Sequence, residues 1–356
     1  MALTLLLGAL MKRTCLPVLL SLSALCLPSL GRAQDTACQT TECATAPACD
    51  YGGAPPQSRR SVVTYHPHDD VGACHPNGTC TDPRADCNGS NRCIVKLRGQ
   101  IWVPSGPGPF PAIVFNHGSV GCPDDSPTCL HNPMVFYGEL EKYFFDQGYV
   151  VFAPSRRGYF PSSGLYIDDL IARQLNNGEC DFDHCSTQDL DQEKFDVNDA
   201  FAWLRDQSYV KKDTDGNAVI ALMGHSLGGI VTLGFNTCPK DLCHIRATVA
   251  IAAAAESWCG DLPLQHLLKS YADDAGAPVY IFDTLNDVST APVLVLGRRL
   301  GAADHVYQSG LFAKVEEDGH VLTCGADAHV CFAMDPTYVA RWAPTALAFL
   351  QRFGVK

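Results

Sequence analysis

The chain has 356 residues, 46% of them hydrophobic, which suits one large domain or one domain with appendages. A formal net charge of -12 at pH 7 excludes a polyanion, nucleic acid included, as the natural partner. The 18 cysteines fit an oxidising compartment.

The first 33 residues read as a signal peptide. From Met11 the order is a positive end at Lys12-Arg13, an apolar stretch over residues 16–27, and the small-x-small ending Gly31-Arg32-Ala33. This predicts cleavage after Ala33 and an exported protein, secreted or periplasmic, starting at Gln34. Pro17, Pro28 and the short apolar run argue against a stable membrane anchor. Leu25 precedes Cys26 where a lipoprotein leader needs a small residue.

Residues 34–60 are polar, rich in Cys, Pro and Gly, and aperiodic, so they read as an irregular extension pinned by disulfides. Residues 61–65 form a predicted strand, and the alternating run 94–103 its antiparallel partner. Between them lies a Cys-rich insertion, residues 66–93. Asn77-Gly-Thr79 and Asn88-Gly-Ser90 fit the N-glycosylation sequon, but they are also plain Asn-Gly turns, the preferred reading. Cys15 and Cys26 fall in the leader, which leaves 16 of the 18 cysteines. Four local pairs bracket turn-rich loops: Cys122 with Cys129, Cys180 with Cys185, Cys238 with Cys243, and Cys324 with Cys331. Parity then ties one of the seven cysteines between Cys38 and Cys93 to Cys259. Zinc is the competing use, with His66, His68 and His75 close by, but no paired C-x-x-C spacing supports it.

From residue 111 onward, strand and helix patterns alternate. Buried strands are predicted over residues 111–116, 149–153, 217–223, 247–254, 278–282 and 311–315. Helices are predicted over 139–147, stopped by Gly148, over 193–207 with Phe195, Ala202 and Trp203 among its apolar positions, from Ile230, and over 342–353. Residues 160–192 read as a modest polar cap. The fold class is therefore α/β, a mostly parallel sheet covered by helices on both faces.

Chemistry centres on Gly224-His225-Ser226-Leu227-Gly228, a G-x-S-x-G unit between a buried strand and a helix. At the tip of such a turn the neighbouring positions tolerate no bulk, and the Ser226 hydroxyl stands clear as a nucleophile. His225 inside the motif reads as a packing residue. His117-Gly118-Ser119 follows the strand 111–116, where a second oxyanion donor belongs. The N–H groups of Ser119 and Leu227 would face the oxygen of a substrate carbonyl. The acid is expected just past the strand 278–282, which favours Asp287 over Asp283. The base is expected after the strand 311–315, and both His320 and His329 qualify. Spacing alone does not choose between them, and a Cys324–Cys331 bridge would rigidify the loop in either case.

Residues from about 95 to 353 resemble the dienelactone hydrolase family of α/β hydrolases, in its secreted serine-nucleophile branch. The matching pieces are Phe115-Asn-His-Gly-Ser119, Arg156-Arg-Gly158, residues 199–204, Met223-Gly-His-Ser-Leu-Gly-Gly-Ile230, Asn286-Asp-Val-Ser-Thr-Ala-Pro292 and residues 341–350. The element pattern sets an α/β-hydrolase domain over residues 61–356, with the Cys-rich insertion 66–93 inside it; the resemblance implies Asp287 as the acid, and His329 rather than His320 as the base. Dienelactone hydrolases proper use cysteine where this chain has Ser226, so their lactone substrate is not carried over. Residues 34–93 match no part of that family.

The resulting expectation is a secreted serine hydrolase of carboxylic esters, small or polymeric, needing no metal or organic cofactor. A polyester or cutinase-like hydrolase, a serine peptidase of the same fold, and a non-catalytic binding protein are the other readings. Oligomeric state is not legible in the sequence.

Overall fold

The structure, a computed structural model, describes residues 59–65, 70–73, 86–87, 92–95, 97–119, 137–159, 162–164, 176, 182–254, 258, 262–314, 316–317, 320–321 and 325–356. The predicted signal peptide, the extension 34–58 and most of the cysteine pairs lie outside these residues.

In chain order the elements are β1 (Arg59–Tyr65), β2 (Asp70–Ala73), β3 (Asp86–Cys87), β4 (Arg92–Ile94), β5 (Leu97–Val103), β6 (Ala112–Asn116), α1 (Gly138–Asp146), β7 (Val150–Ser155), α2 (Phe182–Arg205), β8 (Ile220–His225), α3 (Leu227–Phe235), α4 (Lys240–Cys243) and β9 (Thr248–Ile251). There follow α5 (Leu262–Asp273), β10 (Val279–Thr284), α6 (Ala291–Ala302), β11 (Tyr307–Phe312), β12 (Glu316–Glu317), β13 (His320–Val321), α7 (Gly325–Met334) and α8 (Pro336–Arg352).

Eight strands form one sheet in the order β1-β5-β7-β6-β8-β9-β10-β11. The β1–β5 and β5–β7 pairs are antiparallel, and every later pair is parallel. Side chains alternate between the two faces, as the pleat requires. Ile113, Phe115, Val151, Tyr280 and Phe282 pack under α1, α7 and α8. Val114, Phe152 and Leu222 pack under α2 and α3. Val279 and Ile281 pack with α3, α5 and α6. Parallel strands buried on both faces read as continuous apolar runs, which is why residues 111–116 and 217–223 carry no polar alternation.

Several expected boundaries move. The run 94–103 is split: Ile94 ends β4, which pairs with β2 and β3 in a separate three-stranded sheet, and only Leu97–Val103 pairs with β1. Helix α2 starts at Phe182, eleven residues before its apolar period begins. Phe195, expected on its apolar face, points outward at 52% exposure, while Val197, Ala200, Phe201 and Leu204 form the buried stripe. The strand expected at 247–254 stops at Ile251, because Ala252 (φ 47°) and Ala254 (φ 67°) adopt left-handed backbones. The last strand of the eight-stranded sheet is Tyr307–Phe312 rather than 311–315. Helix α8 starts at Pro336, six residues before Trp342, where Asp335 caps it by accepting from the Thr337 N–H at 2.7 Å.

Cys238 and Cys243 are bridged across α4, with Cα atoms 6.0 Å apart, as their spacing predicts. Cys93 is also disulfide-bonded. The partners Cys122–Cys129, Cys180, Cys259 and Cys324 lie outside the described residues. Among the described residues no helix is long and apolar enough to cross a membrane.

Candidate active site

Ser226 sits between β8 and α3 with φ 55° and ψ -123°. A serine in this region is strained by about 1–3 kcal/mol, and surrounding packing must hold it there. Its N–H donates to the Ile251 carbonyl at 3.0 Å, which anchors the turn to β9. The residue as a whole is half-buried. Both glycines of the motif answer to close approach. A Cβ at Gly224 would strike the Gly228 carbonyl and the Thr232 hydroxyl; one at Gly228 would strike the Asn116 and His117 carbonyls. The elbow is thus wedged against the end of β6.

The loop after β6 brings His117, Gly118 and Ser119 to the same end of the sheet. A Cβ built on Gly118 would lie 3.1 Å from the Ser226 Cβ, so this loop touches the Ser226 turn. Ser119 is exposed and Leu227 half-buried. His117 is buried, and its Nδ1–H donates to the Gly118 carbonyl at 2.8 Å. Burial first, and the Arg156 charge second, pull its pKa well below the ordinary imidazole value, so the ring is neutral. Arg156, fully buried, donates to the His117 carbonyl at 2.7 Å and to Glu193 of α2 at 2.7 Å. Next to it, Arg157 grips Asp196 through Nε and Nη2. Helix α2 therefore holds the turn after β7 through two ion pairs, and Arg156 of that turn holds the His117 carbonyl.

Asp287 and His329 meet. The His329 Nδ1 lies 2.7 Å from the Asp287 Oδ2. The acid's side chain is closed off, whereas 14% of the histidine's remains open. Asp287 stands just past β10, as expected, but His329 lies inside helix α7 rather than in a loop. His320 falls in the two-residue strand β13, paired through Glu317 with β12. Asp283, the alternative acid, ends up inside β10, 1% exposed, with its Oδ1 accepting from the Thr284 N–H at 2.7 Å.

The backbone of His329 also reaches the elbow. Its carbonyl lies 3.2 Å from the His225 Nε2, and the two imidazole rings pack with centroids 4.5 Å apart. His225 immediately precedes Ser226, so the Asp287–His329 pair is tied to the nucleophile turn. Ser226, Asp287, His329 and the His117–Ser119 loop all gather at the carboxyl ends of β6, β8 and β10, where open α/β sheets bind their ligands.

Sequence reasoning missed Tyr137 and the Arg156–Glu193 pair. Tyr137 precedes α1 in a stretch without periodicity, and no local signal marks it. Arg156 is buried against type, and in the sequence it stood out only within the Arg156-Arg-Gly158 piece of the resemblance, with no role attached. Among the described residues no group of three His, Cys, Asp or Glu side chains could hold a metal ion.

Residues 113–355 match the alpha/beta hydrolase family. The chain belongs to that family. Among solved structures, this alpha/beta hydrolase is similar to the acylaminoacyl peptidase of Pyrococcus horikoshii, at 16% identity and a TM-score of 0.51, over 85% of this chain and 43% of that one. The chain thus spans less than half the length of that peptidase. It is also similar to P91, a dienelactone hydrolase-like promiscuous phosphotriesterase from metagenomic libraries. That match has 14% identity and a TM-score of 0.50, and covers 83% of this chain and 99% of that one. At such identities these likenesses speak for the fold. No curated protein matches the sequence.

Proposed function

We propose that this alpha/beta hydrolase is a secreted, dienelactone hydrolase-like serine esterase that cleaves carboxylic esters through Ser226, His329 and Asp287. One observation carries the reading: a serine strained at φ 55° on the elbow, whose chain neighbour His225 packs against His329, a histidine with its Nδ1 bonded to a buried carboxylate. With Nδ1–H donated to Asp287, Nε2 is the ring nitrogen left to take the Ser226 proton. The Ser226 oxygen then attacks the ester carbonyl carbon. The negative charge passes to the carbonyl oxygen, where the N–H groups of Ser119 and Leu227 receive it. The imidazolium returns the proton to the departing alcohol, leaving an acyl-serine. Water, deprotonated by the same ring, hydrolyses it.

The leader at residues 1–33 and the Cys238–Cys243 bridge support export. The test is twofold. A fluorophosphonate probe is expected to label the wild type and not Ser226→Ala. Hydrolysis of p-nitrophenyl esters of graded chain length is expected to exceed that of peptide substrates. A folded wild type that resists labelling would overturn the reading; peptides as the better substrates would turn it toward a peptidase.

A further inference from the structure

Three hydrogen bonds run from the loop beside Ser226 to the backbone of His329, and none belongs to the triad. The Gly118 N–H donates to the Tyr137 hydroxyl at 3.1 Å. That hydroxyl lies 2.7 Å from the His225 Nδ1. The His225 Nε2 lies 3.2 Å from the His329 carbonyl oxygen.

Their directions follow from the chemistry of the groups. A backbone carbonyl only accepts, so the His225 Nε2 carries a proton. His225 is 2% exposed, and burial, with His329 beside it, keeps its pKa well below the ordinary value. The ring is therefore neutral and its Nδ1 bare. Tyr137, 4% exposed, remains a phenol because burial raises its pKa. It donates to Nδ1, and its oxygen accepts from Gly118. Each donor meets one acceptor, so the chain runs in a single direction.

What the chain joins gives it a use. One end is the residue before Ser119; the other is the backbone of His329. The middle member is covalently next to Ser226, and its ring lies against the His329 ring with the planes 34° apart.

We propose that His225, together with Tyr137, is a positioning residue that holds the oxyanion loop and the His329 imidazole in one geometry around Ser226. The role rests on the triad reading above. Displacing a reacting group by about 1 Å can cost on the order of 100-fold in rate. Loss of the linkage should therefore slow acylation while leaving substrate binding nearly untouched.

The experiment compares Tyr137→Phe, His225→Ala and His225→Gln with wild type and Ser226→Ala, each normalised to folded protein by circular dichroism. The readouts are kcat and KM on p-nitrophenyl acetate and the rate of fluorophosphonate labelling. Tyr137→Phe and His225→Ala should lose roughly 10- to 100-fold in kcat and labelling rate, with KM within about threefold. His225→Gln keeps an N–H for the His329 carbonyl and should recover most of the loss. Nitrogen-15 spectra of the wild-type histidines should show His225 as the neutral Nε2–H tautomer. Phe and Ala variants labelled at the wild-type rate overturn the positioning role alone. So does a His225→Gln variant as slow as His225→Ala, or the opposite tautomer. A wild type that the probe does not label overturns the triad reading and this role with it.

Discussion

Asp287 and His329 are 42 residues apart in sequence and 2.7 Å apart at Oδ2 and Nδ1. The other carboxylate oxygen of Asp287 accepts from the Val288 N–H at 2.5 Å. Each oxygen thus has its own donor, and the carboxylate is fixed in rotation as well as in position. Of the two histidines that sequence spacing left open, His329 is the one that meets Asp287, with its Nδ1 toward the carboxylate.

This gives a first prediction. Asp287→Asn can turn an N–H toward His329 and so favour the tautomer with Nδ1 bare and Nε2 protonated, which cannot take a proton from serine. We expect kcat on p-nitrophenyl esters to fall by roughly 10⁴-fold, with little change in the thermal midpoint. Parallel ester assays and thermal melts read both quantities, and a loss under tenfold would remove Asp287 from the proposed role.

A second prediction concerns Asp283. Its Oδ2 is buried and meets no hydrogen-bond donor among the described residues, while Asp287 lies within hydrogen-bonding reach. Two adjacent carboxyl groups away from water are satisfied only if one keeps its proton. Burial, then the neighbouring Asp287 charge, raises the Asp283 pKa well above 3.8. The sign follows from linkage. Below 3.8 both folded and unfolded chains hold this proton, and the contribution to stability is complete. Above it the unfolded chain releases the proton and the folded chain does not, so stability falls by up to about 1.4 kcal/mol per pH unit until the folded group ionises. Asp283→Asn has no such titration and can still donate to Asp287. Urea unfolding from pH 4 to 8 should show its stability gaining on wild type as pH rises. A constant difference across that range would show that Asp283 is ionised in the fold.

How much of this was legible in the sequence depends on how local each feature is. The elbow was legible because the strand, the glycines and the helix that create it are contiguous, and Gly224 and Gly228 meet atoms supplied within that turn or by β6. The central strands were legible because burial on both faces leaves unbroken apolar runs. Edge strand β11 was displaced because Tyr307–Phe312 is half-exposed and carries Gln308, Ser309 and Gly310, whereas the apolar signal lies further on. The first half of α2, with only Cys185 and Leu190 among polar residues from Asp183 to Gln192, has no apolar period to announce a helix. The left-handed turns at Ala252 and Ala254 are set by the packed fold, not by any alanine preference. Likewise Tyr137 and His225, 88 residues apart, carry no shared local mark, so a network joining them could only appear once the sheet was assembled.

A third prediction tests the wedge of the elbow. In Gly228→Ala the added methyl has nowhere to go, because the atoms it meets are backbone carbonyls of Asn116 and His117 rather than movable side chains. The turn or the oxyanion loop must shift. We expect a loss of about 1–3 kcal/mol in urea unfolding, together with loss of most fluorophosphonate labelling. Gly148→Ala, in open space at φ 86°, serves as a control: it is strained without touching the site, and should cost stability but not labelling.

The last prediction concerns the ion pair beneath the oxyanion loop. Arg156 and Glu193 are 0% and 2% exposed, with Nε and Oε2 2.7 Å apart. Burial alone would push the Glu193 carboxyl up and depress Arg156, and each offsets the other's desolvation through its charge. Removing one partner leaves a bare charge in the interior, which costs about 3–5 kcal/mol, whereas replacing both with apolar side chains is often neutral. Glu193→Leu should therefore lower the urea midpoint sharply, and Arg156→Leu with Glu193→Leu should restore much of it. Activity should separate from stability in that double variant. The His117 carbonyl no longer receives the Arg156 N–H at 2.7 Å, so the loop leading to Ser119 loses its hold. Its kcat should stay at least about tenfold below wild type even where the fold has recovered. Full recovery of both would mean that the pair serves packing alone and that the loop needs no anchor from α2.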